Sequence, residues 1–345
     1  MPSTRASLPC PGGYAVVVGG ANVDIKVRSA QPAVPGTSNP GRAVMGNGGV
    51  GRNIAENLAR LGTPTHLVAA VGQDAAGEAL LEQTRAAGVD VSAVLRSAER
   101  TGTYTAVLDH TGELLVAVAD MAAADALGPA DLAPVTDLLR GAALVIADGN
   151  LAAPTLEHLL RTCAAAGVPC LLDPVSVPKA RRAAPLLGPD HPLLAVTPNE
   201  DELPALLAPA PSESGDRGAA PDEQLRAAAA ALHDRGVTHV WVRQGPRGSV
   251  LATRGREPVH LPSPTVTVQD VTGAGDAMLA AFAHALLAGA DPLEAARQGH
   301  LAAALTVQSP HTVRPDLAAA MAAALAAQPV PSAQPAPSPH DERTR

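Results

Sequence analysis

Asp270-Val271-Thr272-Gly273-Ala274-Gly275-Asp276 puts two glycines and a closing carboxylate in front of a run, Ala277-Met278-Leu279-Ala280-Ala281-Phe282, that has the composition of a helix. The glycines let the backbone turn tightly, so several main-chain N–H groups can point into one cavity, and the helix adds the positive end of its dipole. Such a cavity suits a phosphate group. Asp276 then falls in the first helical turn, where it can take a proton from a hydroxyl attacking a phosphoryl group. A glycine-rich helix start, with Asp276 serving only as a partner of the dipole, would explain the same letters without chemistry. At a helix N-terminus Asp276 is expected to have a lowered pKa and to be a weak base. Phosphoryl transfer tolerates a weak base, because its loose transition state lets the proton leave late.

Four further segments carry polar groups at places where ligands bind. Gly19-Gly20-Ala21-Asn22-Val23-Asp24 follows an apolar strand, and Asn22 and Asp24 can together donate to and accept from sugar hydroxyls at its carboxyl end, unless they merely form an Asx turn. Gly46-Asn47-Gly48-Gly49-Val50-Gly51-Arg52-Asn53 permits close backbone approach and sets Asn53 on the first turn of the next helix. Gly46, Gly48 and Gly51 also satisfy the dinucleotide pattern G-x-G-x-x-G, with Asp74 near the place of a ribose-binding acid. Against a dinucleotide site, the segment follows the polar strand Arg42–Met45 rather than the buried first strand. Thr197-Pro198-Asn199-Glu200-Asp201-Glu202 gives Asn199 and Glu202 an i, i+3 spacing. This pair could hold a hydrated magnesium ion beside phosphates, or Glu202 could simply belong to an acidic first helical turn. Arg243-Gln244-Gly245-Pro246-Arg247-Gly248-Ser249 is a flexible loop in which Arg243 or Arg247 could face phosphate or ribose, and it also reads as a plain hairpin.

The elements that must position these groups alternate. Strands are expected at Ala15–Val18, His66–Val71, Leu144–Ala147, Cys170–Asp173, Leu193–Val196 and His239–Val242. Helices are expected at Gly51–Leu61, Gly77–Ala87, Thr155–Ala166, Asp222–Arg235, Ala274–Ala288 and Leu293–Val307. This is the pattern of an α/β, doubly wound, mostly parallel sheet covered on both faces. Asp24–Arg28, Arg42–Met45 and the pair Tyr104–Leu108 and Leu114–Val118 instead alternate polar and apolar positions, the last pair joined by the turn Asp109–Glu113. They are expected to form a small separate sheet, read either as a lid over the site or as a β-extension without a role. Pro209–Pro221 reads as a loop. Residues 1–12 and 327–345 are rich in Pro, Ser, Ala and Gly and read as disordered tails around one domain spanning 13–326.

Composition narrows the class. The 345 residues carry a net charge of -8, with no basic run interleaved with aromatics, so nucleic acid is not an expected partner. Phe282, Trp241, Tyr14 and Tyr104 are all the aromatic residues, and Lys26 and Lys179 all the lysines. Cys10, Cys163 and Cys170 fit no zinc spacing and point to a reduced, cytoplasmic setting with no disulfide expected. The run Tyr14–Val18 reads as a buried strand rather than part of a signal peptide, and no apolar window approaches the roughly 20 residues that cross a bilayer. There is no G-x-x-x-x-G-K-[ST], G-x-S-x-G, H-E-x-x-H or paired C-x-x-C. His158, His233, His239, His284 and His300 are scattered and read as packed or solvated.

Taken in order, from Ala15 to about Pro315, the segments resemble the ribokinase-like (PfkB) carbohydrate and nucleoside kinases. Gly48-Gly49-Val50-Gly51-Arg52-Asn53 and Asp270–Asp276 stand at the two family signatures. Within the family the chain is most similar to the pseudouridine kinase branch, on Ser38-Asn39-Pro40-Gly41, Ile54–Gly62, Thr103–Leu108, Val118–Met121, Ala147–Leu151 and Asp173–Lys179. Kinases of inosine, cytidine, ribose or fructose share parts of these. The resemblance implies transfer of the γ-phosphate of ATP, with Mg2+, to a sugar 5′-hydroxyl, giving pseudouridine 5′-phosphate. It implies Asp276 as catalytic base and the amides of Gly273, Ala274 and Gly275 as the anion hole. Asn22, Asp24, Gly48, Gly49 and Asn53 would hold the ribose, with Asp148 a weaker substrate candidate. Asn199 and Glu202 match the N-x-x-E motif for magnesium and phosphate, and Arg243, Gly245 and Gly248 would contact ATP. Asp270 and Thr272, with Ser309 more loosely, stand where the family often holds K+. His300 stands where the ribokinase branch carries Asn near adenine and is assigned no base contact, and Val271 replaces a common Thr. An acceptor for the extra ring N–H of pseudouridine would come from Asp120, Asp148 or a backbone carbonyl. Tyr104 would pack either against the base or in the core of the small sheet. A homodimer paired through that sheet and a monomer with a lid both fit.

Overall fold

The structure, a computed structural model, describes residues 12–207 and 221–327. Its strands are β1 (Ala15–Val18), β2 (Asn22–Ser29), β3 (Gly41–Gly48), β4 (Thr65–Val68), β5 (Ala70–Gly72), β6 (Leu95–Ser97) and β7 (Thr103–Leu108). They continue with β8 (Leu114–Asp120), β9 (Leu144–Asp148), β10 (Cys170–Asp173), β11 (Leu193–Val196), β12 (Val237–Arg243), β13 (Ser249–Thr253) and β14 (Val259–Leu261).

Every residue of β1 is fully buried, because successive side chains point to opposite faces and both faces are covered. Val16 and Val18 join one apolar cluster with Leu156 and Leu159 of the helix Ala153–Ala166 and Leu225 and Leu232 of the helix Pro221–Asp234. Ala15 and Val17 join the opposite cluster with Ile54 and Leu58 of the helix Val50–Arg60 and Phe282 of the helix Ala274–Leu287. Trp241 and Phe282 stack there with ring centroids 4.8 Å apart. Together they withdraw on the order of 400 Å2 from water in a core otherwise built of Ala, Val and Leu.

The main sheet runs β14-β13-β12-β11-β10-β9-β1-β4, parallel from β4 to β12 and closed at one edge by antiparallel β13 and β14. This is the expected doubly wound class, with element ends shifted by one or a few residues. His66–Val71 is not one strand, however. The chain leaves the main sheet after Val68, and β5 pairs in parallel with β6 instead. An outermost strand has no further neighbour to hold its register, so a short apolar run can change partners there.

The small sheet is separate, in the order β3-β2-β7-β8. It is mixed: β2 and β7 pair in parallel, the other pairs antiparallel. Val23 and Ile25 of β2 anchor it in the core beneath the helix Val50–Arg60. The Asp109 carboxylate closes its hairpin by accepting from the amides of Thr111, Gly112 and Glu113 at 2.7, 2.8 and 2.9 Å. The tails, the loop at 209–221 and Cys10 fall, apart from single edge residues, outside the described residues. Cys163 and Cys170 are buried free thiols. None of the described helices is long and apolar enough to cross a membrane.

Candidate active site

Gly273 caps the helix Ala274–Leu287 with φ 80°, and an added Cβ would overlap the carbonyl oxygen of Thr312, so only glycine fits. The amides of Gly273, Gly275 and Asp276 have no backbone partner among the described residues, whereas that of Ala274 makes a 3.3 Å turn bond to the Val271 carbonyl. The free donors at this helix start are thus Gly273, Gly275 and, beyond the expected three, Asp276 itself. The Asp276 side chain is buried, and its Oδ2 accepts from Asn53 Nδ2 at 2.7 Å. Burial pushes its carboxyl up to about 7; the Asn53 bond and the Arg243 guanidinium oppose the rise, while Asp173 and Asp148 add to it. The lowered pKa expected from the helix dipole is therefore overturned. A dipole contributes about 1 kcal/mol or less in the first turn, and desolvation of a buried carboxylate several times that.

Asn53 is held from the other side of the cleft. Gly49, with φ 92°, caps the helix Val50–Arg60 and packs against the Gly20 carbonyl. Arg52 is fully buried; it donates to the Gly48 and Asn47 carbonyls at 3.1 Å each, pairs with Glu56, and donates to Asn53 Oδ1, leaving Asn53 Nδ2 for Asp276. Asn22 Nδ2 donates to Asp24 Oδ1 at 2.7 Å, and the Asp24 carboxylate packs on Gly48. Burial raises the Asp24 pKa against the pull of Asn22, Arg52 and Lys26. Tyr104 sits opposite Asp24 in the β2–β7 register, so it shares that face of the small sheet; at 38% exposure it is not sheet core.

Arg243, at the end of β12, connects the phosphate side. Its Nη1 donates to Asp173 at 3.1 Å, Nη2 reaches Glu202 at 3.4 Å, and Nη1 lies 2.5 Å from where a Cβ on Gly275 would stand. A guanidinium thus lies directly against the helix start that carries Asp276. Beside it opens a cleft of about 460 Å3, walled by Val266, Val268, Met278 and Ala303, with Gly245, Gly248 and Gly275 along its rim. His300 lines it too, its Nε2 2.6 Å from Ser249 Oγ, which accepts from Trp241 Nε1 at 2.8 Å.

The pfkB family carbohydrate kinase profile matches residues 13–319. The pseudouridine kinase of Escherichia coli (strain K12) is 34% identical over 308 residues, covering 89% of this chain and 94% of that protein. Among solved structures, a carbohydrate kinase from Agrobacterium tumefaciens superposes with a TM-score of 0.76 at 33% identity, over 91% of this chain and 97% of that one. The Arabidopsis thaliana ribokinase complexed with ribose and ATP superposes with a TM-score of 0.75 at 27% identity, over 90% and 98%. The chain belongs to the pfkB family. It is a kinase that phosphorylates a hydroxyl group.

Within this pfkB kinase three expectations change. Asp148 is not presented to a substrate. It is fully buried at the end of β9; its Oδ2 accepts from the Gly20 and Gly51 amides at 2.8 and 2.7 Å, and its Oδ1 from Asn150 at 2.8 Å. Its carboxylate therefore ties β1 to the helix Val50–Arg60. The same bonds count against the dinucleotide reading of Gly46–Gly51. The Gly51 amide is taken by Asp148, that of Arg52 by the Gly20 carbonyl and that of Asn53 by the Gly49 carbonyl. Among the amides of that helix start only those of Gly49 and Val50 have no partner among the described residues, and Gly46 and Gly48 lie in β3 of the small sheet.

Asn199 and Glu202 act first on each other's backbone. Asn199 Oδ1 accepts from the Glu202 amide at 2.8 Å and Glu202 Oε2 from the Asn199 amide at 2.9 Å, the reciprocal geometry of a capping box. Glu202 Oε1 stays outside these bonds, so the pair suits contact with a metal through water and not direct ligation. Among the described residues no group of three or more His, Cys, Asp or Glu could hold a metal ion. At Asp270 and Thr272, the place expected for K+, the Lys26 ammonium lies on both side chains. Arg52, Asp173 and Lys26 escaped the sequence reading of the site. In the structure Asp173 is marked by the β-branched Val175 two residues on, whose φ of 67° is a conformation that side chains rarely adopt.

Proposed function

We propose that this kinase transfers the γ-phosphate of ATP to the 5′-hydroxyl of pseudouridine. The observation that carries the reading is the buried Asp276 carboxylate, bonded to Asn53 at a helix start where the Gly273, Gly275 and Asp276 amides are unpaired. A carboxyl held near 7 is partly ionised at neutral pH and is a stronger base than an ordinary aspartate. Asp276 takes the hydroxyl proton while Asn53 fixes the carboxylate's direction. The Gly273, Gly275 and Asp276 amides and the Arg243 guanidinium hold the transferring phosphoryl group, so positioning and charge supply most of the acceleration.

The apolar cleft beside Gly275 receives the adenine, and Gly245 and Gly248 let the β12–β13 turn approach the nucleotide. Glu202 and Asn199 would hold a phosphate-bound magnesium ion through water, and that ion would supply charge neutralisation for the transferring phosphoryl group. Asn22, Asp24 and Tyr104 face the sugar and base from the small sheet. Residues 13–326 are taken as one catalytic unit. The choice of pseudouridine rests on the 34% identity over nearly the whole of the Escherichia coli enzyme; inosine, cytidine, ribose and fructose are the alternatives.

Phosphorylation measured with ATP and Mg2+ across pseudouridine, uridine, inosine, cytidine, ribose and fructose decides the substrate. Highest kcat/KM on pseudouridine is expected. A preference for a free sugar would replace the nucleoside reading while leaving the kinase in place.

A further inference from the structure

Lys26 is one of two lysines in the chain, and it stands on the small sheet two residues beyond Asp24. Its Nζ donates to Asp270 Oδ2 at 3.0 Å and to Thr272 Oγ1 at 3.3 Å. Asp270 Oδ1 accepts from the Thr272 amide at 2.8 Å and from the Thr272 hydroxyl at 2.6 Å. Both carboxylate oxygens are therefore engaged, and the Thr272 oxygen turns its lone pair to the ammonium. The Val307 carbonyl beside the loop accepts from the Gln269 and Asp270 amides at 2.7 and 3.3 Å. A monovalent cation binds by exchanging its water for protein oxygens with lone pairs to spare. Here the ammonium already lies on the Asp270 and Thr272 oxygens that such an ion would share, and a positive charge in contact with the carboxylate repels a second one.

We propose that Lys26 is itself the cation of this loop, so that phosphoryl transfer in this kinase needs no added monovalent ion. The loop Asp270–Gly273 leads straight into the unpaired amides, and its charge and direction are set by the ammonium. Lys26 is a positioning residue, acting on the phosphate through the loop. Because it rides on the strand that carries Asn22 and Asp24, seating the small sheet over a sugar and charging the loop become one event. The pair is half exposed, with 41% and 33% of the two side chains accessible, so it contributes little to fold stability. Asp270 shows the consequence: burial alone would raise its carboxyl, and the Thr272 and Lys26 bonds hold it below the ordinary value.

The proposal rests on the phosphotransfer reading and is independent of which hydroxyl is phosphorylated. The test compares the full chain and Lys26→Met in choline chloride and in KCl at equal ionic strength of about 0.1 M. Wild-type kcat is expected to be the same in both salts. Lys26→Met is expected to lose about tenfold or more in choline and to recover in K+ or methylammonium. In melting curves without substrate, K+ is expected to leave the wild type unchanged and to raise the melting temperature of the variant. Strong activation of the wild type by K+, an undiminished variant in choline, or a loss that no monovalent cation restores would each overturn it. If no tested acceptor is phosphorylated, the substrate reading fails, and the melting comparison still decides the role of Lys26.

Discussion

At the scale of single residues, Asp276 combines what a base needs and what a fold resists. Its buried carboxyl sits near 7, while in the unfolded chain it would titrate near 3.9. Asp276→Asn should lower kcat by about a hundredfold or more with the fold intact, and a variant that retained turnover would remove Asp276 from the base role. In the free enzyme kcat/KM should rise with pH and level off above about 7. Asn53→Ala should move that limb to higher pH, since the Asn53 bond favours the ionised form. Stability goes the other way. Below the unfolded value both states are protonated and Asp276 costs nothing. Between the two values the unfolded chain has released a proton that the folded chain keeps, so stability falls as pH rises, with the full cost present above 7. Asp276→Asn should therefore unfold at higher urea than wild type at pH 8, by on the order of 4 kcal/mol, with the difference gone near pH 4.

Among the elements, glycine-rich helix starts look alike in sequence and differ in what occupies them. At the start of Val50–Arg60 the Asp148 carboxylate takes the Gly51 amide and the Gly20 carbonyl that of Arg52, whereas at the start of Ala274–Leu287 the Gly273, Gly275 and Asp276 amides are open. Asp148→Ala should destabilise the chain by about 3 kcal/mol in urea titrations, because three amides at a fully buried site lose their acceptor. A change within 0.5 kcal/mol would mean that water or a shifted backbone takes over the role. The helices and buried strands were legible in the residues because periodicity and glycine placement are local. Asn199 and Glu202 show the limit of that legibility. Their spacing admits a water-mediated metal pair or an acidic first turn, and in the structure it also serves the backbone as a capping box. Likewise β4 and β5 formed one apolar run, and which strand each half pairs with lies in another part of the chain.

At the scale of the whole molecule, the ends of β10, β11 and β12 and two helix starts converge on one opening roofed by the small sheet. The two signatures, Gly48–Asn53 and Asp270–Asp276, meet there through one 2.7 Å bond between residues 223 positions apart. ATP with Mg2+ should raise the melting temperature, and NAD should leave it unchanged. A shift by NAD alone would reopen the first glycine run as a nucleotide site, against the occupied amides seen there.

What the residues determined by themselves was the alternation of buried strands with helices, the separate alternating sheet, and the glycine turn that ends in a carboxylate. Each follows from backbone preference and local spacing. What the tertiary structure alone decided was charge: that Asp276 is held near neutrality, that Asp148 is a structural tie, and that Lys26 lies on Asp270. Desolvation and through-space distance fix those, and neither quantity has a counterpart in the order of residues along the chain.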